Sequence, residues 1–376
     1  MAFSFRKMSK RFFISSNLLV SVLFLLACLQ PWLNPESFWL ISFLSLTIPY
    51  LCVLLLLFVV FWFFFKIKYT LISIITLLLG WQQLSVLVAT HNPDFSKRKP
   101  ANTQQLRIFT WNVKAMKGNG AQDPKTLRKT TRNMYALIKA YRADVVCFQE
   151  FGQFDKPHEG HDNIQWMKEL GFPYYVMSKD YSRVAWKYTS GVAIFSRYPI
   201  VFKKRVPFTS SPESLLFADI AWKKDTIRIF TSHLQSFKLL GNDFAHLEQA
   251  AGNNSEELVE ASSNIFQKMK RAFRNRGAQA DQIRPVLDSS HYPAIFCGDV
   301  NDVPGSYAYW QLRGSNWQDA FLKKGFGIGR TYMGLVPTLR IDYIFANPKW
   351  EVTQCATVPS NYSDHLPVVA DLQLLK

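Results

Sequence analysis

The sequence predicts a mixed α/β domain with runs of consecutive strands, preceded by three membrane-spanning helices. Three observations carry this. Phe12–Leu29, Phe38–Phe65 and Tyr69–Ala89 are nearly uncharged, and about 20 apolar residues suffice to cross a bilayer. From Leu106 onward, apolar runs of strand length alternate with helix-like stretches and then follow one another directly. Most of those runs begin or end in a residue with a strong chemical handle.

A chain of 376 residues holds a membrane segment plus one domain of roughly 250 residues. The boundaries expected are a membrane anchor over 1–90, a polar linker over 91–105 and a catalytic domain over 106–376. Pro49 inside the second apolar run is tolerated better in a membrane helix than in a soluble one. Arg6, Lys7, Lys10 and Arg11 precede the first span, Gln30–Ser37 has no Lys or Arg, and Lys66 and Lys68 flank the next turn. The positive-inside rule puts that basic side in the cytoplasm. An odd number of crossings then leaves everything after Ala89 outside, although Lys97, Arg98 and Lys99 pull the other way. The expected location is a bacterial inner membrane, multi-pass, with the domain facing the periplasm. "LLAC" at Leu25–Cys28 loosely resembles a lipoprotein cleavage site, and cleavage there would still leave a hairpin that returns the chain outside.

The net charge is +17, and beyond residue 90 there are 38 Lys and Arg against 26 Asp and Glu, or +12. A basic domain suits an anionic partner: phosphate esters, nucleic acid or acidic headgroups. Of five cysteines, Cys28 and Cys52 fall in the apolar spans. Cys147, Cys297 and Cys355 fall in or beside strand-like runs without metal-ligand spacing, and read as small core residues.

In the domain, "LRIFTWNV" is followed by a helix near Pro124–Tyr141 and then "DVVCFQEF". "SGVAIFSRYPIV", "LLFADIAW" and "DTIRIFTSHL" follow with little helix between them, the mark of antiparallel neighbours. Ser255–Leu287 reads as a long helix ending near Pro285, before "YPAIFCGDVN", "RIDYIFAN" and "LPVVADLQLL".

The run endings are Asn112, Glu150, His233, Asp299 with Asn301, Asp342 within its strand, and Asp364–His365 opening the last. A carboxylate after a strand is commonly a turn or helix cap. Asp342, inside an apolar strand, instead needs a buried partner. Asp299 and Asn301 share one face of an extended chain, whereas the adjacent Asp364 and His365 point apart. Glu150, Asn112 and Asp364 offer oxygens to a hard divalent cation such as Mg²⁺, or Mn²⁺. The two imidazoles and the Asp–Asn pair suit a phosphate and its attacking water. No His/Cys cluster points to zinc. A metal-assisted phosphoester hydrolase uses every member of the set.

The ordered series "TWNV", "QE", "SGVAIFSRYPI", "SHL", "GDVNDVPGS", "RIDYIF" and "SDHLPV", spanning about Leu106–Leu375, resembles the endonuclease/exonuclease/phosphatase superfamily. The resemblance implies a four-layer α-β-β-α sandwich of two mostly antiparallel sheets, with the site at one end. It implies Glu150 as principal metal ligand, with Asn112 and Asp364 at the same ion or a second one. His365 would contact the scissile phosphate or exchange a proton there, with Asp342 orienting it. Asp299 would position or deprotonate the water, and Asn301 and His233 would bind phosphate. The substrate expected is a membrane-proximal phosphodiester such as a phospholipid or sphingolipid headgroup, with an exported nuclease and a retired phosphate-binding module as alternatives. Beyond substrate and membrane, no protein partner is implied. Lys179–Lys187, "KDYSRVAWK", and "SFKLLGNDF" after His233 are the stretches expected to decide between lipid and nucleic acid.

Overall fold

The computed structural model describes residues 2–92, 94–98, 105–116, 124–155, 162–209, 211–239, 243, 247, 249, 255–334 and 338–375. It divides into two compact units, one of Met1–Val88, Leu239–Gly277 and Val303–Trp310, the other of Ala89–Lys238, Ala278–Asp302 and Gln311–Lys376.

The N-terminal part of the first unit holds α1 (Ala2–Cys28), α2 (Pro35–Ser45), α3 (Ile48–Phe65) and α4 (Thr70–Leu79), with the one-turn α5 (Trp81–Leu84) after them. Among the described residues two helices are long and apolar enough to cross a membrane, Lys7–Cys28 and Ile48–Phe65. The apolar run expected to span from Phe38 to Phe65 is therefore divided. Pro49, at the start of α3, has no N–H to give and its ring would clash with the preceding turn, so one helix cannot run through. The third run also falls short of a span, its apolar helix covering Ile67–Leu79. It stops at Gly80, where a Cβ would lie 2.2 Å from the Phe24 ring, so only glycine allows that approach.

The helices enclose an apolar cluster of Phe24, Ala27, Ile48, Leu51 and Leu55, yet small polar residues are buried with it and large apolar ones face outward. Asn17, Ser21, Ser73 and Thr76 are buried, while Leu19, Leu57, Phe64 and Leu78 are exposed. The Ser73 hydroxyl donates to Asn17 Oδ1 at 2.9 Å between α1 and α4. α2 carries Trp39 and Phe43 against Phe266 and Phe273 of the long helix Ser255–Asp288, with the Phe43 and Phe266 rings stacked at 4.9 Å. That helix runs through Pro285 to Asp288, slightly beyond the expected end. Because Pro285 lies in the last turn, the distortion from its missing N–H and its ring is confined to the helix end.

The second unit opens with β1 (Ala89–Thr90), β2 (Gln105–Asn112), β3 (Val145–Phe154), β4 (Tyr174–Met177), β5 (Tyr181–Arg183), β6 (Tyr188–Ser196), β7 (Ile200–Pro207), β8 (Ser214–Trp222) and β9 (Asp225–His233). It continues with β10 (Ala294–Asp299), β11 (Gln318–Asp319), β12 (Phe326–Gly327), β13 (Asp342–Ala346), β14 (Trp350–Thr357) and β15 (Val368–Leu374). One sheet has the order β14-β15-β2-β3-β6-β4, with β5 on β6, and the other β11-β13-β10-β9-β8-β7. Pairing is antiparallel in both except for one parallel pair each, β2/β3 and β10/β9.

Strand parity builds the layers. Leu106, Ile108, Val145, Cys147 and Ile194 of one sheet meet Ile229, Ile295, Cys297 and Ile344 of the other in a shared core. The opposite parity, Phe109, Trp111, Val146 and Phe148, packs under Met134 and Ile138 of the helix Pro124–Tyr141. The segment expected as a linker is strapped to this unit: His91 N–H donates to Gly325 O and Ser96 N–H to Gln354. Residues 93 and 99–104 of it lie outside the described set.

Candidate active site

Register sets the site. In β9, β10 and β13 the inward parity that supplies Ile229, Cys297 and Ile344 continues to His233, Asp299 and Asp342. Asp299 pairs directly with both His233 and Asp342. Asn112 has the same inward parity at the end of β2. The polar residues therefore cap the inter-sheet core as its last layer. Beneath them Gln149 donates to Thr110 and Thr231, at 3.1 and 3.0 Å, a polar floor joining the two sheets.

Glu150 breaks parity. β3 shifts register between Phe148 and Phe151, and Glu150 sits there at φ +51°, a left-handed conformation that a non-glycine residue adopts only under constraint. The bulge swings its carboxylate toward Asn112 and His233. Asn301 is also left-handed, at φ +55°: its N–H donates to Asp299 Oδ1 and its amide to Leu234 O.

The contacts form a continuous chain. Asn112 Nδ2 donates to Asp299 at 2.9 Å and to Glu150 at 3.2 Å. His233 Nε2 lies 3.5 Å from Asp299 and 3.8 Å from Glu150, buried and without a hydrogen-bond partner. His365 Nε2 faces Asp299 at 3.7 Å while its Nδ1 bonds Asp342 at 2.9 Å. Ligand atoms of Asp299, Asp342 and His365 all lie within 4.8 Å of one another.

Electrostatics follow from that crowding. Burial opposes charge on His365, but Asp342 and Asp299 outweigh it and hold the imidazole's pKa up at about 10. Burial also raises the Asp342 carboxyl, to about 6, against the lowering pull of His365. The pair thus favours an imidazolium pinned between two carboxylates.

Asp364 stands apart from the other expected metal ligands. Its carboxylate accepts from Lys114 Nζ at 2.7 Å, and Lys114 N–H donates to Asn112 Oδ1. Sequence reasoning missed Lys114, which follows "TWNV" in the turn beyond the end of β2, where strand parity no longer applies. It also missed Thr331 and Tyr332. Thr331 Oγ1 accepts from the backbones of Ile341 and Asp342, and Tyr332 pairs with His365 and packs on its ring at 5.0 Å. Ser363, which donates to Asn112 O, lay inside the quoted "SDH".

With the geometry in hand, the class is plain: a two-sheet sandwich whose strand ends gather carboxylates, an amide and imidazoles in one cleft. The chain belongs to the Endonuclease/Exonuclease/phosphatase family, matched over residues 109–365. Residues 10–87 match a second family, described only as a domain of unknown function. An endonuclease/exonuclease/phosphatase from Beutenbergia cavernae is similar in structure at 22% identity, covering 72% of each chain with a TM-score of 0.51. The human Nocturnin catalytic domain, solved with a bound sulfate anion, is similar at 19% identity, covering 72% of this chain and 93% of that one with a TM-score of 0.50. At such identities the likeness is one of fold. No curated protein matches the sequence. The family is one of phosphoester hydrolases, typically metal-dependent.

The residues present fit a hard divalent cation. Glu150, half-exposed at the cleft, Asn112 and Asp364 are oxygen donors with no thiolate among them, although Asn112 turns its Nδ2 to Glu150 and Asp364 is bound to Lys114. This is the donor chemistry that Mg²⁺ or Mn²⁺ selects.

Proposed function

We propose that the protein is a divalent-metal-dependent phosphodiesterase acting on a membrane-proximal substrate, a phospholipid or sphingolipid headgroup. The observation that carries the chemistry is the single contact chain from Glu150 through Asn112, Asp299 and His365 to Asp342, with the unpartnered His233 Nε2 aimed into it. Glu150, Asn112 and Asp364 would hold the metal, which when bound offsets charge on the phosphoryl oxygens. His233 and Asn301 donate to a phosphate oxygen. Asp299, held by Asn112 and the Asn301 N–H, orients the attacking water. His365, kept protonated by Asp342 and Asp299, donates toward the phosphoryl group or the leaving oxygen.

What supports the membrane is the apolar exterior of the first unit, where Leu19, Leu57, Phe64 and Leu78 are exposed, with small polar residues such as Ser21 and Ser73 buried among its apolar core. What supports three crossings is its bundle. Phe13 packs on Phe61 and Lys10 lies over Tyr69, while Phe24 packs at Gly80. α1 and α4 therefore run in one direction and α3 in the other. Lys7, Lys10, Arg11, Lys66 and Lys68 gather at one end, the arrangement that leaves the chain after Ala89 on the far side, the periplasm of a bacterial inner membrane.

A tethered nuclease is the second reading, favoured by a groove of about 760 Å³ lined by Lys168, Lys179, Lys203, Lys204 and Arg205 with Tyr175 and Phe154, against two acidic residues, Asp155 and Asp162. The test is hydrolysis by the purified full chain, with Mg²⁺, Mn²⁺ or EDTA. The substrates are sphingomyelin and phosphatidylcholine vesicles, single- and double-stranded DNA, and a soluble chromogenic phosphodiester. Metal-dependent lipid turnover is expected, lost in EDTA and restored by either ion. Turnover of DNA alone would establish the nuclease, and no turnover of any substrate would leave a retired phosphate-binding module.

A further inference from the structure

The β-hairpin formed by β5 and β6 ends in a tip where turn chemistry and sequence disagree. Hairpin turns favour Asn, Asp and Gly, yet here the tip is Val184-Ala185-Trp186. Val184 is 84% exposed and Ala185 is exposed beside it. Adjacent apolar residues held out in water at a turn cost solubility without adding to a core. A basic collar surrounds them: Arg183 and Lys187 flank the tip, both exposed, and the exposed Lys179 precedes the hairpin. Lys179 and Lys187 sit at φ +54° and +46°, so the collar is held in a specific, constrained backbone.

The base of this arm is clamped. The Tyr181 hydroxyl donates to Glu213, a buried carboxylate just before β8. Asp180 accepts from Ser178, Ser214 and Arg205 at 2.7, 2.6 and 3.0 Å. Asp180 is thereby held at the base of the arm against Arg205, while Asp155, whose N–H donates to Lys187 O, is the acidic neighbour of a tip that carries Lys179, Arg183 and Lys187. The arm also stands beside the cleft. β6 pairs Ser190 with Gly152 and Tyr188 with Phe154, just beyond the Glu150 bulge, and a Cβ at Gly152 would lie 2.0 Å from the Tyr188 hydroxyl.

We propose that the Val184–Trp186 tip is a lipid-contact arm, which seats in the interfacial region of a bilayer containing anionic lipid and presents headgroups to the cleft. An apolar tip within a basic collar matches such a surface in both of its properties, because interfacial binding grows with buried apolar area and with attraction to anionic lipid. The proposal deepens the phosphodiesterase reading and rests on it for the identity of the substrate, but the contact itself can be tested without activity.

The experiment places an environment-sensitive fluorophore on Val184→Cys in the full chain, carrying Cys28→Ser, in nanodiscs of phosphatidylcholine with or without phosphatidylglycerol. The control label is at Val201→Cys, 61% exposed at the far end of β7. Emission at position 184 should shift to the blue and be quenched by lipid spin-labelled near the headgroup, more strongly with phosphatidylglycerol, while position 201 stays unquenched. Equal behaviour at the two positions would overturn the proposal, as would shielding of position 184 by a DNA oligonucleotide but not by lipid. In parallel, Val184→Asp should lower kcat/KM on vesicle lipid about tenfold, as expected for one lost apolar contact, and leave soluble-ester hydrolysis unchanged. Quenching without any lipid turnover would uphold the arm and refute the phosphodiesterase reading, so the two fail separately.

Discussion

At the residue scale the decisive pair is Asp342 and His365. The 2.9 Å bond fixes which imidazole nitrogen faces Asp299, and so aims Nε2 at the cleft. Asp342→Asn keeps the shape but withdraws the charge that holds the imidazolium. Hydrolysis should fall by about 10²- to 10⁴-fold, the range seen when an orienting carboxylate or acid–base partner is lost, with KM little changed. Steady-state kinetics on the soluble ester would check it, and a loss below fivefold would refute the orienting role. His365 also carries a pH signature. Its folded pKa is raised, so its contribution to stability is complete below the ordinary imidazole range and is lost as pH climbs through about 10. In metal-stripped protein, the difference in Tm between the parent chain and His365→Gln should therefore be largest near pH 6 and shrink in alkali. A difference that grows with pH would show the imidazole to be neutral.

At the element scale β2 and β15 of one sheet are tied together, away from the cleft, by an ion pair. Arg107 of β2 meets Asp371 of β15 through two bonds of 2.6 and 2.7 Å, both side chains fully buried, and Gln354 donates to the same carboxylate. Removing one partner strands a buried charge, so Asp371→Ala should cost about 3–5 kcal/mol. Thermal or denaturant unfolding of the full chain would register it, and a loss under about 1 kcal/mol would place the pair among weak surface bridges. The strands themselves were legible in the sequence because alternation and chemically marked ends coincide: His233, Asp299 and Asp342 take their places from parity alone. Glu150 was legible as a residue but not as a bulge, since nothing in "FQEFG" announces φ > 0. Thr331 and Lys114 were illegible, because a hydroxyl bonding two backbone N–H groups and a lysine reaching across to Asp364 depend on loop geometry, which has no period. The division of the second apolar run was legible after the fact in Pro49, which hydropathy alone does not weigh.

At the scale of the whole molecule the open quantity is the number of crossings. Length and hydropathy admit Lys7–Cys28 and Ile48–Phe65, and two crossings would return the chain to the basic, cytoplasmic side. The bundle argues for a third. α4 lies alongside the middle of α1, with Tyr69 before it near Lys10 and Gly80 after it at Phe24, buries Ser73 and Thr76, and exposes Leu71, Leu78 and Leu79 outward. An interrupted helix is tolerated in a membrane where neighbouring helices and side-chain hydroxyls satisfy the freed backbone, and the Thr76 hydroxyl bonds Ile72 O within α4. Reporter fusions after residue 376 decide the matter in a bacterial host. Three crossings predict an active alkaline phosphatase fusion and a dark green-fluorescent-protein fusion, since the first matures only outside the cytoplasm and the second only within it. The reverse pattern would place the cleft in the cytoplasm. Any membrane-proximal substrate would then have to come from the inner leaflet, whose negative surface potential would draw in the same +12 domain.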